Sequence, residues 1–399
     1  LCIEYFPAVL RQMMTQSQQP QKPAPHPPIP GRRVQYDLAR IANGFQAPGI
    51  FLYGEPYGNG HINDTFVAHY RTPEGEMRLI HQRINHEIFK KPAAVMDNIA
   101  RVTEHQRQKL QQAGLPDAGR RALMLVPAKD GSTFHSDDNG NTWRTYWFIE
   151  KARSVEFVEN PRIAYEAAKA FGEFQRQLVD LSGGRLAETI PDFHNTPKRF
   201  ETFCQVLEQD PVNRAGEARP EIEFVLAHED VTRVLLEKHR QGLIPERVTH
   251  NDTKINNVLL DDDTNEGICV IDLDTVMPGL VLYDFGDLVR TATSPSAEDE
   301  KDLSKVHMEM ELFESLVSGY LETAGAFLNP TEKEYLPFSG KLITLEIGIR
   351  FLTDFLAGDK YFKIHRPEQN LDRCRTQFKL VESITAQEDR MRKFMRSLC

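Results

Sequence analysis

Cysteine, basic charge and long apolar runs are all scarce in this sequence, and each scarcity excludes a class of protein. Five cysteines are scattered over 399 residues without a C-x-x-C pair, so we expect neither a disulfide framework nor a cysteine zinc site. Lys and Arg number 48 against 58 Asp and Glu, a formal net charge of −10, which leaves no basic surplus to neutralise a nucleic-acid backbone. No stretch approaches the roughly 18 apolar residues of a membrane span.

What remains is the composition of an ordinary globular protein. Hydrophobic residues make up 40% and charged residues 27% of the chain, as in folded domains generally, and the length gives room for two or three domains. With the cysteine usage, these values predict a cytoplasmic enzyme that binds something small and has no nucleic-acid or membrane partner. The net charge favours a soluble monomer.

Residues 1–33 differ from the rest of the chain. A polar run over 16–21 leads into a cluster of six prolines between positions 20 and 30. Proline at this density enters neither helices nor central strands and favours extended, solvated chain. We expect a disordered, proline-rich leader, with a partner-binding proline motif as the alternative.

Beyond the leader, the hydrophobic pattern changes near Glu150. Up to that residue it indicates three strands, a helix over 92–112 and two further strands at 123–126 and 142–149. After it the pattern is mostly helical, and long helices are expected near 302–323, 336–356 and 371–390.

This change predicts an α+β protein with two lobes. A small β-rich N-lobe over 34–150 would bind a nucleotide, and a larger, mostly helical C-lobe over 151–399 would carry the catalytic and substrate-binding residues. The cleft lies between the lobes, with a hinge near Glu150.

The sharpest chemical signal is the segment from His250 to Asn257. Asp252 and Asn257 have the spacing of the kinase catalytic loop H-x-D-x-x-x-x-N, in which the aspartate orients and deprotonates the attacking hydroxyl and the asparagine binds magnesium. Lys254 follows two residues after the aspartate, where it can reach the transferred phosphoryl group. The alternative is a polar loop whose side chains bond to their own backbone.

A strand-end aspartate strengthens this interpretation. The apolar run Ile268 to Ile271 leads directly into Asp272, and a carboxylate at the end of a buried strand needs a partner such as a divalent cation. We therefore expect Asn257 and Asp272 to be the magnesium ligands. The D-F-G-like residues Asp284 and Asp287 do not follow a strand, so we interpret both as structural, with Asp284 capping a helix over 288–291.

The N-lobe carries weaker signals. Gly58 and Gly60 lie in a turn between two strands, where glycines let backbone N–H groups approach phosphate oxygens; an ordinary hairpin turn is the alternative. The strand after it contains no lysine, so Gln82 or Arg83 would have to contact the phosphates. Glu104 on the following helix is interpreted as a solvated surface residue.

One helix of the last third carries ionisable residues on an apolar background. Glu346, Arg350 and Asp354 recur at i, i+4 and i+8 and predict either the polar floor of a pocket or a pair of internal salt bridges. The following segment, 359–362, adds polar and aromatic side chains suited to a sugar.

These motifs resemble the N-acetylhexosamine 1-kinases, a branch of the aminoglycoside phosphotransferase and choline kinase group. The resemblance covers roughly residues 51–382 and is carried by these segments: Tyr57-Gly58-x-Gly60-His61-Ile62-Asn63, Gln82-Arg83-Ile84-Asn85, His250-Asn251-Asp252-Thr253-Lys254-x-Asn256-Asn257, Ile271-Asp272-Leu273-Asp274-Thr275-x-Met277-Pro278-Gly279, Asp284-Phe285-Gly286-Asp287 and Arg350-Phe351-Leu352. That branch lacks the strand lysine as well.

The resemblance implies a protein-kinase-like fold, ATP and Mg²⁺ as cofactors, and phosphorylation of the anomeric hydroxyl of N-acetylglucosamine or N-acetylgalactosamine. It implies that Asp252 is the base and that an adenine-binding hinge is formed by Phe148, Ile149 and Glu150. It also implies sugar contacts for His61, Thr275, Arg350 and Tyr361.

Two other functions stay open from the sequence. A kinase of the same fold could act on choline, an amino alcohol or an aminoglycoside, whose positive charge calls for an acidic or aromatic pocket. A non-catalytic nucleotide- or sugar-binding protein is the other alternative, although the presence of Asp252, Asn257 and Asp272 argues against it.

Overall fold

A computed structural model describes residues 36–58, 62–115 and 117–398. The predicted leader over 1–33 lies outside the described residues, as do Gly60 and His61. Within the described ranges no helix is long and apolar enough to cross a membrane.

The N-lobe is built on one antiparallel sheet with the strand order β1-β2-β3-β5-β4. Its strands are β1 Ile50–Pro56, β2 Asp64–Thr72, β3 Gly75–Arg83, β4 His135–Ser136 and β5 Thr142–Trp147. A short helix, α1 (Leu38–Ala42), precedes the sheet. The helix α2 (Pro92–Gln112) lies between β3 and β4 in the chain. The strand predicted at 123–126 is wrong, because this segment forms only an isolated bridge from Leu125 to Tyr146.

The two faces of this sheet have different partners because side chains alternate along a strand. One face packs with α1 around Tyr70, Leu79 and Trp143. The other face carries Gln82 and Arg144, which are paired across β3 and β5, and it faces the C-lobe. Strand register therefore decides which polar residues enter the cleft.

The C-lobe consists of packed helices: α3 Pro161–Gln177, α4 Thr196–Gln209, α5 Arg219–Ala227, α6 Glu229–Arg240, α7 Val281–Ala292, α8 Met310–Ala324, α9 Pro330–Ala357 and α10 Gln369–Leu398. Asn160 caps α3 by accepting from the backbone N–H of Ile163, as Asn does at this position. Helices α3 and α8 cross closely at Gly319, where a Cβ atom would overlap the carbonyl oxygen of Tyr165. A glycine is required there for the two backbones to touch.

Two small β units hold the loops of the site. Strands β6 (Ala152–Arg153), β8 (Val258–Asp261) and β9 (Gly267–Val270) form one sheet, and β7 (Arg247–Thr249) pairs with β10 (Met277–Gly279). The loop 250–257 thus runs from β7 to β8, and the turn 271–276 runs from β9 to β10. Pairing of these strands brings both segments to the same side of the C-lobe.

The architecture confirms the predicted α+β class, with an antiparallel N-lobe sheet and a helical C-lobe. The predicted boundaries at residues 33 and 150 stay predictions.

Candidate active site

The backbone of the loop 250–257 is held by a buried aspartate. Oδ2 of Asp284 accepts from the N–H of His250 at 2.9 Å and from Nε2 of Gln175 at 2.6 Å, and Oδ1 accepts from the N–H of Asn251 at 2.7 Å. The predicted helix cap is therefore wrong, because α7 begins at Val281 and Asp284 lies in its first turn. The carboxylate is structural, as expected, but it orders the loop rather than a helix end.

His250 links the loop to the neighbouring turn. Its Nε2 lies 2.9 Å from the carbonyl oxygen of Ile271, to which it donates, and its Nδ1 accepts from the N–H of Asp252 at 3.3 Å. The hydroxyl of Thr275 donates to the carbonyl of His250 at 2.7 Å. Thr275 is buried, so the structure uses its hydroxyl inside the protein rather than presenting it to a sugar.

Asp252, Lys254 and Asn257 lie together at the cleft. Nζ of Lys254 is 3.0 Å from Oδ1 of Asp252, and Nδ2 of Asn257 donates to the carbonyl oxygen of Asp252 at 2.8 Å. Burial by itself would raise the pKa of Asp252, but the charge of Lys254 and its hydrogen bond hold this pKa below its ordinary value. The carboxylate is therefore ionised and able to accept a proton at neutral pH.

Asp272 reaches the same place from the other hairpin. The N–H of Ile271 donates to the carbonyl oxygen of Asn257 at 2.9 Å, which joins the two segments, and Asp272 adopts a left-handed backbone conformation with φ of 60°. Desolvation, followed by the charges of Asp274 and Asp252, raises the pKa of Asp272 to about 6. Asp252 and Asp272 are thus close enough to interact electrostatically.

The donor set fits a magnesium ion completed by phosphate oxygens. No group of three or more His, Cys, Asp or Glu residues with metal-holding geometry occurs in the part of the chain that the structure describes. Mg²⁺ is commonly held by one or two protein ligands and the phosphates of a nucleotide, and Asn257 and Asp272 offer that number. No donor among the described residues bonds to the Asp272 carboxylate.

The N-lobe contributes a cation that the sequence did not reveal. Arg144 on β5 forms an ion pair with Asp274 and donates to Oε1 of Gln82 at 2.7 and 2.9 Å. Arg83, predicted to contact phosphates, instead lies on the opposite face of the sheet, 2.7 Å from Asp64. Gln82 does face the cleft.

Two residues of the segment predicted to bind adenine, Phe148 and Glu150, are held by arginine side chains. Arg78 stacks over the ring of Phe148 at 3.8 Å and pairs with Glu150, while Arg120 donates to the carbonyl oxygen of Glu150 at 2.9 Å. The peptide group of Ile149 has no backbone hydrogen-bond partner among the described residues. An unpaired peptide group leaves an N–H donor and a C=O acceptor free to form hydrogen bonds with the edge of an adenine ring.

Gly58 and the α2 helix complete the N-lobe side. Gly58 has φ of 74° with open space around it, a conformation that suits glycine in a turn. Glu104 is on the surface beside Arg107 and Gln108, as expected.

Comparison with known proteins identifies the family. The model of the phosphotransferase enzyme family matches residues 55–305. The chain belongs to this family. Its fold is similar to a microcompartment-associated aminopropanol kinase, with a TM-score of 0.60 and 16% identity over 89% of this chain and 98% of that chain.

Two further solved structures share the fold of this phosphotransferase. A spectinomycin phosphotransferase in complex with ADP and spectinomycin has a TM-score of 0.57 and 13% identity, covering 90% of this chain and 99% of that chain. An aminoglycoside phosphotransferase from Alicyclobacillus acidocaldarius has a TM-score of 0.57 and 12% identity, covering 92% of this chain and 99% of that chain.

The three ionisable residues of α9 in this phosphotransferase have separate partners. Glu346 is buried and accepts from Thr196 and from Nδ1 of His194, 2.8 Å away. Nε2 of His194 lies 3.1 Å from the carbonyl oxygen of Asn251, next to the proposed base. Both partners are hydrogen-bond acceptors, so the imidazolium form of His194, which donates from both ring nitrogens, is the form that satisfies them. The alternative interpretation, a pair of salt bridges within the helix, is wrong, because Glu346 is paired with His194 instead.

Asp354 organises the loop that follows α9. Its carboxylate accepts from the backbone N–H groups of Lys360, Tyr361 and Phe362 at 2.8 to 2.9 Å and from Nδ2 of Asn370 at 2.9 Å. These bonds present the exposed ring of Tyr361 beside Arg350. Only Arg350 of the three residues is left to face a ligand.

Arg350 is surrounded by aromatic rings and has no acidic partner among the described residues. Its guanidinium lies 5.3 Å from the ring centre of Phe193, 5.8 Å from that of Tyr361 and 5.6 Å from that of Phe362. Arg199 lies nearby with a buried Nε atom that has no hydrogen-bond partner in the described ranges, and burial and the charge of Arg350 lower the pKa of Arg199. This side of the site therefore holds two arginines that form no ion pair with any described acid.

Proposed function

We propose that the protein transfers the γ-phosphoryl group of ATP to the anomeric C1 hydroxyl of an N-acetylhexosamine, giving the sugar 1-phosphate. Family membership makes the chain a phosphotransferase with a hydroxyl acceptor. The single observation that carries the acceptor assignment is Arg350, a cation enclosed by Phe193, Tyr361 and Phe362 that forms no ion pair with any described acid.

The charge of this region argues against a cationic acceptor. Choline, amino alcohols and aminoglycosides carry positive charge, which Arg350 and Arg199 would repel. A neutral sugar supplies hydroxyl and carbonyl oxygens to guanidinium donors, and aromatic rings such as Tyr361 cover its apolar faces.

The residues around the base divide the chemistry among them. Asp252 accepts the proton of the C1 hydroxyl, which is more acidic than other sugar hydroxyls. Lys254 places positive charge beside the transferred group, and Asn257 and Asp272 would hold Mg²⁺. When bound, this ion supplies charge neutralisation on the phosphates. We propose nucleotide contacts for Gly58, Gly60, Gln82 and the hinge residues, and a sugar contact for His61.

A second candidate is a kinase of the same fold acting on a cationic alcohol. Its support is the fold likeness to the aminopropanol kinase and the aromatic rings near Arg350, since aromatic rings also bind ammonium groups.

A panel of acceptors separates the two candidates. N-acetylglucosamine, N-acetylgalactosamine, glucose, choline, ethanolamine and an aminoglycoside are each tested with ATP and Mg²⁺, and kcat/KM is measured. We expect both N-acetylhexosamines to exceed every cationic acceptor by at least 100-fold. Higher kcat/KM for a cationic acceptor would contradict the proposal.

The matched control is Asp252→Asn, which removes the base but keeps its shape. We expect turnover to fall at least 1,000-fold while ADP affinity stays within threefold of wild type. A variant that retains a tenth or more of wild-type kcat would remove Asp252 from the role of base.

A further inference from the structure

A buried ion pair joins the two lobes at the back of the cleft. Nη1 of Arg144 donates to Oδ1 of Asp274, and the two side chains are only 1% and 5% exposed. Arg144 belongs to β5 of the N-lobe, whereas Asp274 lies in the C-lobe turn that also carries Asp272. The proposed function gives neither residue a role.

Two further N-lobe residues, Gln82 and Asn63, form hydrogen bonds with this ion pair. The Nε and Nη2 atoms of Arg144 donate to Oε1 of Gln82 at 2.9 and 2.7 Å, and Gln82 lies on the strand where kinases carry a phosphate-binding lysine. Nδ2 of Asn63, at the end of the glycine turn, donates to Oδ2 of Asp274. One carboxylate thus contacts β5 and the glycine turn directly, and β3 through Arg144.

The geometry requires an arginine and an acid. The planar guanidinium has donors in a fixed fork and satisfies Gln82 and Asp274 together, which a lysine ammonium does not do in the same way. Removing either charged partner leaves a buried charge uncompensated, so breaking the pair is costly.

The contact between Arg144 and Asp274 also affects Asp272, which lies two positions before Asp274 in the chain. Asp272 precedes a short 3₁₀ turn, Leu273–Thr275, and has the left-handed backbone conformation noted above. Asp274 is the middle residue of that turn, so the contact that holds Asp274 also restrains the backbone of Asp272.

We propose that Arg144 is a positioning residue that takes the place of the missing strand lysine: by holding Asp274 it locks the turn that aims Asp272 at the nucleotide-bound cation. The inference rests on nucleotide and cation binding within the proposed function and is independent of the acceptor.

The test is the affinity of the full chain for ADP, measured by calorimetry with and without Mg²⁺. Arg144→Gln and Asp274→Asn are compared with Arg247→Gln, a control that breaks the pair of the partly buried Arg247 with the buried Glu332 at the far end of β7. Metal-free ADP affinity is measured for every chain, because Arg144 also holds Gln82, a proposed nucleotide contact. The enhancement of ADP affinity by Mg²⁺ should fall at least tenfold in the two cleft variants and stay unchanged in the control.

The stability of the variants does not decide the outcome. If Arg144→Gln does not fold, Arg144→Lys keeps the charge but not the fork, and an intermediate loss of the Mg²⁺ enhancement is expected. Wild-type enhancement in a folded cleft variant, or an equal loss in Arg247→Gln, would overturn the inference alone. A wild-type chain that binds no nucleotide would overturn the proposed function together with it.

Discussion

The Oδ1 atom of Asp284 accepts a hydrogen bond from the backbone N–H of Asn251 at 2.7 Å. A carboxylate of α7 therefore holds the backbone of the residue that precedes the proposed base. The other oxygen of Asp284 binds the N–H of His250 and the amide of Gln175. Three donors converge on a carboxylate that is completely buried. The position of Asp252 therefore depends on a side chain that does not touch the substrate.

Replacing this carboxylate by an amide should weaken catalysis more than binding. In Asp284→Asn one oxygen is replaced by an NH₂ group that faces a donor, and a buried unsatisfied donor costs about 1–3 kcal/mol. We expect kcat to fall at least 50-fold with KM for ATP within threefold of wild type, measured by steady-state kinetics. Glu332→Gln, another buried carboxylate far from the cleft, is the control and should lose stability without losing kcat. Equal kcat for both variants would remove Asp284 from loop positioning.

The pair of His194 and Glu346 should make stability depend on pH. Burial by itself lowers the pKa of His194, but the carboxylate of Glu346 raises it above 6.5 overall, and the imidazolium in turn lowers the pKa of Glu346 below 4.5 despite burial. The stabilisation from His194 is fully present below pH 6.5 and is lost as the pH rises through its folded pKa. The stabilisation from Glu346 is present above pH 4.5 and is lost as the pH falls through its folded pKa.

Thermal denaturation across pH tests this pair. Glu346→Gln leaves His194 without its counter-ion, and breaking a buried pair costs about 3 kcal/mol. The difference in Tm between wild type and Glu346→Gln should be largest between pH 4.5 and 6.5 and should shrink above that range. A difference in Tm that is constant from pH 5 to 9 would mean that His194 is neutral in the folded protein.

Arg350 should affect the acceptor and not the nucleotide. Arg350→Ala removes the guanidinium enclosed by Phe193, Tyr361 and Phe362, and the loss of charged hydrogen bonds to a ligand is worth about 1.5–3 kcal/mol. We expect KM for the sugar to rise about 10- to 100-fold while KM for ATP changes less than threefold. Arg247→Ala serves as the control for arginine removal. If Arg350→Ala changed the KM for the sugar and the KM for ATP equally, Arg350 would have only a structural role and would not bind the sugar.

The crossing of α3 and α8 predicts a local stability effect. A Cβ atom at Gly319 would overlap the backbone of Tyr165, whereas one at Gly216 would meet no heavy atom within 4 Å. Gly319→Ala should destabilise the protein by about 1–3 kcal/mol through overpacking, measured by urea denaturation, and Gly216→Ala should not. Wild-type stability of Gly319→Ala would show that the helices can separate without cost.

The sequence predicted the parts of the site that depend on local spacing. The catalytic loop and the strand-end Asp272 are each encoded within a few residues, and the hydrogen bond from the N–H of Ile271 to the carbonyl oxygen of Asn257 brings the two segments together. The helix expected at 302–323 begins only at Met310, because the segment before it forms a short 3₁₀ turn at Leu303–Lys305.

The parts that depend on distant contacts were not predictable in the same way. Arg144 and Asp274 are 130 residues apart, and no local pattern indicates that they meet. Arg83 was assigned to the cleft although strand register turns it to the other face. Glu346 follows an i, i+4 pattern with Arg350, yet its partner His194 is 152 residues away.

The central claim is that Asn257 and Asp272 converge on one nucleotide-bound cation beside Asp252. The most direct measurement is the electron paramagnetic resonance titration of Mn²⁺ in the presence of ADP, for wild type, Asn257→Ala and Asp272→Asn. The account predicts one ADP-dependent Mn²⁺ site in wild type, with its affinity reduced at least tenfold in each variant. Wild-type Mn²⁺ affinity in either variant would contradict it.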